Sequence, residues 1–309
     1  MLAAVRAVVI VLFVCGMRAA LAATLVAGSG DTAAGGHNTT VPYTFAIGPY
    51  NQFNPALGGL RDIDFALQAN MFGQIHVMTS VSGTYALDLT AHYVVDYPGT
   101  TTTLISDSSA FEHDPADAVP AGGAIIVLSG SATPSYGTGP LDTLTKFGVL
   151  SQFIGTGTYT LPVNADKIAS VMPAPNDGYT SSAAERAVIT VTYTYGAASS
   201  TAATSLVAIY SANAQNGALR ATVMSGNTSL SGGLVTFMLM DGAAQVGSTV
   251  QAAPNAGAAS AAFTLPAAQH LGTYTVIATY DGGSSYGLSQ GSAPFYIRSD
   301  EIFSDRFGS

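Results

Sequence analysis

Apolar and polar residues alternate with a period of two along much of this sequence, and this alternation constrains the fold more than any other feature. One such stretch runs from residue 85 to 95 and another from 189 to 195. Successive side chains of a strand point to opposite faces, so each stretch predicts a half-buried strand. No stretch after residue 22 shows the spacing of an amphipathic helix. We therefore expect an all-β protein built as two β-sandwich domains.

A different pattern appears at residues 124–128, where the apolar run AIIVL is not interrupted by a polar residue. A run of this kind is typical of a strand buried on both faces, so we expect it inside a sheet. The 34 Gly and 14 Pro residues are spread along the chain. That distribution suits many tight turns between short strands.

The first 22 residues, MLAAVRAVVIVLFVCGMRAALA, have the composition of an export signal. Arg6 precedes an eleven-residue apolar run (7–17), and Ala20-Leu21-Ala22 fits a cleavage site. The run is shorter than the ~20 residues of a membrane span, and no later stretch approaches that length. Cleavage would remove two arginines and Cys15, the single cysteine, and would change the net charge from -9 to -11. We expect an exported mature chain whose stability depends on apolar cores without disulfides.

The segment 197–204, AASSTAAT, is small and featureless and follows a strong strand pattern, which predicts a flexible linker. The predicted organisation is a signal peptide (1–22), a jelly-roll-like β-sandwich (24–196), the linker (197–204), an Ig-like domain (205–298) and a tail (299–309). The 309 residues leave room for about two domains of ~150 residues.

Charge and composition exclude several functions. Only 9% of the residues are charged, against about 25% in an ordinary soluble domain. The net charge of -9 repels phosphate backbones, so nucleic acid is excluded as a partner. The hydrophobic fraction of 48% excludes a disordered polar chain.

The C-terminal domain shows strand alternation at residues 219–223, 235–239, 261–265 and 274–280, with a last strand near 294–297. About seven short strands in this length is the count of an Ig-like sandwich. Tyr274, two residues before Val276, has the spacing of a tyrosine corner, in which the hydroxyl bonds to upstream backbone. Asp241-Gly242 predicts a hairpin turn, because Gly supplies the positive φ that such turns need.

These segments resemble the bacterial Ig-like repeats of surface proteins, whose pattern runs G-x-V-T-F, a D-G turn, V-G, T-L-P and T-A-x-Y. The residues that fit the pattern are Val235, Thr236, Phe237, Asp241, Gly242, Gly247, Leu265, Pro266 and Tyr280. The resemblance implies a spacer or adhesive module without catalytic activity.

The N-terminal domain contains the segment 53–60, FNPALGGL, in which Pro55 and the two glycines predict a turn between the apolar residues Phe53 and Leu60. With Leu141-Asp142 after a Gly-rich segment and a final V-T-Y-T strand (191–194), it resembles choice-of-anchor E domains. That resemblance implies a surface or extracellular location and supplies no active-site residues.

The tail RSDEIFSDRFGS (298–309) resembles the D-x-I-F-x-D-G-F-E ending of some secreted proteobacterial proteins, with Arg306 in place of the expected Gly. It is either a sorting signal or a frayed end.

The search for chemistry yields one weak metal candidate. Glu112, Asp114 and Asp117 lie within six residues and could hold Ca²⁺ through oxygen ligands, although an EF-hand spacing is absent and a solvated acidic loop is the simpler interpretation. Asp62 and Asp64 offer a weaker option of the same kind on one face of a strand. Asp88 and His92 lie four residues apart on a strand, about 13 Å, too far for a hydrogen bond.

No nucleophile elbow, Walker A loop or H-E-x-x-H motif occurs, so the sequence predicts no catalytic residues and no cofactor. We expect a non-catalytic, exported structural or adhesion-type protein, with other surface proteins or glycans as partners. The alternative is an extracellular carbohydrate-binding protein with a row of exposed tyrosines, for which Tyr43, Tyr50 and Tyr136 are candidates. A secreted hydrolase would require a cleft with convergent titratable groups.

Overall fold

The structure is a computed structural model that describes residues 23–37, 43–99, 103–132, 135–137, 141 and 143–299. The predicted signal segment and the tail from residue 300 onward lie outside the described residues. The described chain forms eighteen β-strands, one α-helix and a short 3₁₀ helix, which confirms the prediction of an all-β fold.

The N-terminal domain contains the first nine strands and both helices. The strands are β1 (Ala23–His37), β2 (Tyr43–Asn51), β3 (Gly59–Val77), β4 (Gly83–Asp96), β5 (Thr103–Val119), β6 (Ala124–Ala132), β7 (Ser135–Gly137), β8 (Thr158–Met172) and β9 (Tyr179–Gly196). The 3₁₀ helix is Pro55–Leu57 and the α-helix, α1, is Thr143–Ser151. Helix α1 was not predicted, because the sequence 143–151 lacks a clear amphipathic spacing.

The nine strands form a jelly roll, as predicted. One sheet has the order β1-β9-β3-β6, with β7 also pairing with β3, and the other has the order β2-β8-β4-β5. All of these neighbours are antiparallel. Apart from the short β7, this is the arrangement of two four-stranded sheets found in double Greek-key sandwiches.

Two expectations about these strands are wrong. The strands are long, because β3 continues for 19 residues and β9 for 18 where short strands were expected. The apolar run 124–128 begins β6, which lies at the edge of its sheet and not in the interior. Pattern analysis gives the burial that a segment favours, whereas its place in a sheet depends on non-local pairing.

The core of the N-terminal domain is rich in aromatic rings. Phe153 lies between the sheets and contacts Phe65, Tyr97 and Tyr159, with ring centroids 5.6, 6.3 and 5.1 Å away. Tilted and edge-to-face pairs of this kind stabilise a core beyond the effect of area burial. The alternating residues of β4 and β9 supply much of the remaining apolar core, as predicted.

The C-terminal domain contains the other nine strands. They are β10 (Ser200–Ala203), β11 (Leu206–Ile209), β12 (Gln215–Ser225), β13 (Thr228–Ser229), β14 (Val235–Asp241), β15 (Ala244–Ala252), β16 (Ala258–Leu265), β17 (Gly272–Tyr280) and β18 (Ser289–Arg298). One sheet has the order β11-β18-β17-β14-β15, and the other joins β10, β13 and β16 to β12. This is an Ig-like sandwich in which β10 and β11 form one strand that crosses between the sheets.

The buried face of every predicted strand in this domain is confirmed. Leu219, Val235, Phe263, Val276 and Ile297 all contribute to one core that is separate from the core of the first domain. The hairpin turn is also confirmed, since Asp241 pairs with Ala244 and Gly242 has a φ of 58°.

The segment predicted as a flexible linker is partly a strand. Residues 200–203 form β10, which pairs with β12, and Thr201 is buried. Its hydroxyl lies 2.7 Å from the Ser289 hydroxyl, and Ser199 donates to the same Ser289 oxygen at 2.7 Å. Small polar residues indicate a linker when read alone, but here Ser and Thr form hydrogen bonds within the second domain.

Candidate functional site

The acidic residues considered for calcium do not lie in a loop. Glu112, Asp114 and Asp117 are part of β5, an edge strand of the jelly roll, where they pair with Leu89, Leu87 and Tyr85 of β4. The side chains of Glu112 and Asp114 lie outside the described part of the structure. Charged residues on an edge strand oppose unwanted pairing with another strand. This position supplies a structural reason for the acidic cluster.

The second pair of carboxylates lies beside a lysine. The Lys146 ammonium on α1 is 3.5 Å from the Asp62 carboxylate on β3. Burial, and then the nearby Asp62 charge, raises the pKa of Asp64, while Lys146 opposes the shift. Among the residues that the structure describes, no three His, Cys, Asp or Glu side chains converge as a metal site would require.

The remaining polar candidates contact neighbouring strands. The Ser170 hydroxyl donates to Asp88 at 3.4 Å, and His92 lies 3.3 Å from the Ser106 hydroxyl. Tyr50, proposed for an exposed sugar platform, is fully buried and donates its hydroxyl to the Ile189 carbonyl at 2.8 Å. The side chains of Tyr43 and Tyr136 lie outside the described part.

A shallow cavity opens at the end of the jelly roll where β3 ends and β4 begins. Its volume is about 420 Å³ and no ionisable side chain lines it; the lining residues are Ser82, Gly83, Thr84, Ala118, Val119 and Pro120. A hydrolytic site needs a nucleophile with a neighbouring base, or paired carboxylates. This cavity provides neither arrangement.

The most elaborate polar arrangement lies between the two domains, in a contact that we call the interdomain joint. It consists of residues 59–61 at the start of β3, residues 196–199 after β9, and the loop 281–288 between β17 and β18. Helix α1 also lies against β17. The FNPALGGL segment therefore leads directly into the joint.

The local sequence shapes the first side of the joint. Pro55 begins the 3₁₀ helix, and the Asn54 side chain accepts a hydrogen bond from Ala56 N at 3.0 Å, which caps the helix. Phe53 and Leu60 are buried on either side, which confirms the predicted turn between apolar residues. The chain then reaches Gly58 and Gly59, where the second domain approaches.

The loop 281–288 shapes the other side. The Asp281 carboxylate accepts hydrogen bonds from Leu234 N and Gly283 N, both at 2.9 Å, and so closes an Asx turn. Burial, followed by the Asp281 charge, raises the pKa of Tyr280 to about 12. The protonated Tyr280 hydroxyl donates to the Gly232 carbonyl at 3.2 Å. The turn is thereby fixed before it meets the first domain.

Arg61 connects the two sides. Its guanidinium donates to the Gly283 carbonyl at 2.6 Å and to the Ser284 carbonyl at 2.8 Å. A planar guanidinium presents several donors in a fixed geometry, so two adjacent carbonyls hold it more firmly than a lysine would be held. Charged donors also form stronger hydrogen bonds than neutral ones.

Backbone hydrogen bonds complete the joint. Leu288 N donates to Leu60 O at 3.1 Å, Ala197 N to Ser285 O at 3.1 Å, and Gly287 N to Ala197 O at 2.9 Å. The loop also reaches both cores, because Leu288 packs against the first core and Tyr286 against the second.

Glycine allows the two backbones to touch. A Cβ atom on Gly287 would lie 2.2 Å from Gly59 Cα, and a Cβ atom on Gly59 would lie 2.7 Å from Gly287 Cα. Both distances are shorter than any real Cβ contact, so neither position accepts a side chain in this arrangement. The sequence indicated a turn at Gly58-Gly59 but not its partner in the loop.

The far end of the Ig-like domain carries a second polar cluster. Tyr274 donates its hydroxyl to the His270 carbonyl at 2.9 Å, which confirms the predicted tyrosine corner. The His270 ring stacks on the Tyr274 ring at 5.1 Å, and its Nε2 lies 2.7 Å from the Asp241 carboxylate. The hydrogen bond with the Leu271 carbonyl, followed by that with Asp241, raises the pKa of His270.

Comparisons with known proteins do not place the chain in a family. No protein-family description matches it, and no curated protein matches it. In the part of the chain that the structure describes, no helix combines the length and the apolarity needed to cross a membrane.

Similarity to solved structures is distant. A glycosyl hydrolase family 2 member from Bacteroides cellulosilyticus is 8% identical, with a TM-score of 0.26 over 83% of this chain and 26% of that chain. The fibronectin(III)-like modules of Clostridium thermocellum CbhA are 12% identical, with a TM-score of 0.22 over 73% of this chain and 90% of theirs. The infectious bursal disease virus Gt strain structure is 11% identical, with a TM-score of 0.22 over 60% of this chain and 41% of that one. The chain thus spans only a minor part of the hydrolase and of the viral protein.

Proposed function

We propose that this chain is a non-catalytic structural or adhesion-type protein, exported to the cell surface or the medium, in which the jelly roll holds an Ig-like module at a fixed angle. The observation that carries the proposal is the interdomain joint. A module that acts as a spacer or binding unit must be presented in a defined direction, and a joint made of backbone hydrogen bonds and touching glycines restricts its rotation.

The proposal places the chain with choice-of-anchor E proteins that bear a bacterial Ig-like repeat. Its support is the FNPALGGL segment, which leads into the joint, together with the tyrosine corner and the D-G hairpin of the second domain. The hydrogen-bonded side chains found so far have structural partners. Tyr193, for example, donates to the Asn51 carbonyl at 2.9 Å inside the first domain.

The carbohydrate-binding alternative receives less support. A sugar platform needs neighbouring exposed aromatic rings. Tyr50 is buried, and the tyrosines named as large exposed side chains among the described residues, Tyr179 and Tyr210, belong to different domains. Other surface proteins are therefore the partners that this proposal favours.

Fractionation of the native host tests the proposal. We expect the mature chain, without residues 1–22, in the envelope fraction or the medium. A variant without residues 2–22 is the matched control and should remain in the cytoplasm. Cytoplasmic accumulation of the uncleaved wild-type chain would contradict export. Export together with reproducible sugar binding on a glycan array would support the carbohydrate-binding alternative.

A further inference from the structure

Strand β6 is an apolar strand that the described structure leaves uncovered. Its sequence predicts a strand buried on both faces, yet it lies at the edge of its sheet, and no described strand pairs with its outer side. Ala124 and Ile126 pack against the core. Ile125 and Val127 on the other face are 57% and 56% exposed. The strand therefore has one free edge and one free apolar face.

The neighbouring edge strand shows how this fold protects an edge. Strand β5 precedes β6, lies at the edge of the opposite sheet and contains four acidic residues and Pro115; the acidic residues are Asp107, Glu112, Asp114 and Asp117. Charged residues and proline are common devices against edge-to-edge pairing. Strand β6, with the sequence AIIVLSGSA, contains neither. The same side of the jelly roll thus combines a protected edge with an unprotected one.

We propose that β6 is the dimerisation edge of this protein and pairs antiparallel with β6 of a second copy across a two-fold axis. In a register centred on Ile126, Ile125 lies opposite Val127 of the partner subunit. Antiparallel partners keep their side chains on a common face when residues of matching parity pair. The four exposed side chains of the two copies then meet on one face as apolar cross-strand pairs, which stabilise a sheet.

Charge favours a second copy at this position. Residues 24–196 contain thirteen Asp and Glu against four Lys and Arg, a net charge of -9. Two copies therefore repel each other over most of the domain. At β6 the residues of β3 opposite Ile125 and Val127 are His76 and Gln74, neither of them acidic. Two copies can approach here without bringing these positions into charge repulsion.

The position of β6 is compatible with the interdomain joint. Val127 pairs with Gln74 of β3, thirteen residues along that strand from Arg61. At ~3.3 Å per residue this separates the proposed edge from the joint by about 43 Å. The Ig-like domain attaches at the opposite end of β3. A β6 dimer would therefore present two Ig-like domains, and this inference does not depend on export.

Sedimentation equilibrium of the full mature chain tests the inference. We expect twice the monomer mass for the wild type. Val127→Lys places an ammonium group at the pairing edge of both copies and should weaken self-association at least about tenfold. Ile125→Lys should act in the same way. Val207→Lys is the matched control, because Val207 is 57% exposed on β11, an edge strand of the other domain, and should leave the dimer intact.

Salt and folding controls sharpen the outcome. Added salt should strengthen the dimer, since it screens the repulsion between two acidic domains. Thermal melting establishes that the variants fold, and Val127→Thr, which keeps the β-branched shape, replaces the lysine variant if that one does not. A monomeric wild type at every concentration would overturn the inference. So would a dimer that persists in Val127→Lys or dissociates equally in Val207→Lys.

Discussion

The two domains close similar sandwiches but differ sharply in charge. The jelly roll has a net charge of -9, whereas residues 205–298 contain only Arg220, Asp241, Asp281 and Arg298 and are neutral. At the joint, Arg61 of the acidic domain binds carbonyl groups of the neutral one. A neutral module docks on an acidic domain without net repulsion, so backbone contacts alone can set its angle. The joint should accordingly be insensitive to salt, unlike the proposed dimer edge.

Loss of the joint is the largest effect we expect on this comparison. Gly287→Ala forces the two touching backbones apart and should lower the free energy of unfolding by about 1–3 kcal/mol, the cost of overpacking. The two domains should then melt in separate transitions in calorimetry, and residues 197–199 should become sensitive to protease.

A matched glycine controls that experiment. Gly217 lies in β12, and nothing lies within 4 Å of a Cβ atom added there. Gly217→Ala should therefore leave the melting profile and the digestion pattern unchanged. Identical behaviour of Gly287→Ala and Gly217→Ala would show that the joint does not couple the domains.

Tyrosine hydroxyls offer a smaller and more local comparison. Tyr274→Phe leaves the His270 carbonyl without its donor, and Tyr193→Phe does the same to Asn51. Each should cost about 1 kcal/mol, at the lower limit for a partly buried acceptor. Because a shift in Tm scales inversely with domain size, we expect a loss of ~4–8 °C for the Ig-like domain and ~2–4 °C for the jelly roll. Equal shifts in calorimetry would indicate that both domains unfold as one unit.

The smallest expected effect is the pH dependence of the His270 cluster. The pKa of His270 is raised in the folded state, mainly by the Leu271 carbonyl and then by Asp241. Its stabilisation is complete below the unfolded pKa of about 6.5 and is lost as the pH rises through the higher folded pKa. The Ig-like domain should therefore melt slightly higher at about pH 6 than at about pH 8.5.

Asp241→Asn tests the origin of that dependence. It removes the carboxylate beside His270 Nε2 and should reduce the difference between the two pH values. Since the His270 side chain is exposed, solvent screens the pair and the effect stays small. A difference that is unchanged in the variant would assign the pH dependence to another group.

Local pattern predicted the Ig-like domain better than the jelly roll. Strands such as β14 and β17 alternate between apolar and polar residues over seven and nine residues and end at clear turns, so their limits follow from local sequence. In the jelly roll, β3 continues past Gly73, because pairing with β6 and β9 on both sides holds it extended. Helix α1 was missed for the same reason, since its packing and not its periodicity defines it.

The candidate sites divide in the same way. The tyrosine corner and the D-G hairpin were predictable, because each depends on residues within a few positions of one another. The joint was not, because Gly59 and Gly287 are far apart in sequence and only their contact gives either a role. The acidic residues of β5 suggested a metal loop, whereas their place at a sheet edge gives them a protective role.

Residue order alone specified the all-β class, the two domains and the inward face of most strands, because alternation and turn chemistry act over neighbouring residues. Folding in three dimensions settled which strand lies at an edge, which carbonyls receive Arg61 and which glycines touch. Those features arise from pairing between distant segments, and the pairing is selected by the packing of the whole sheet.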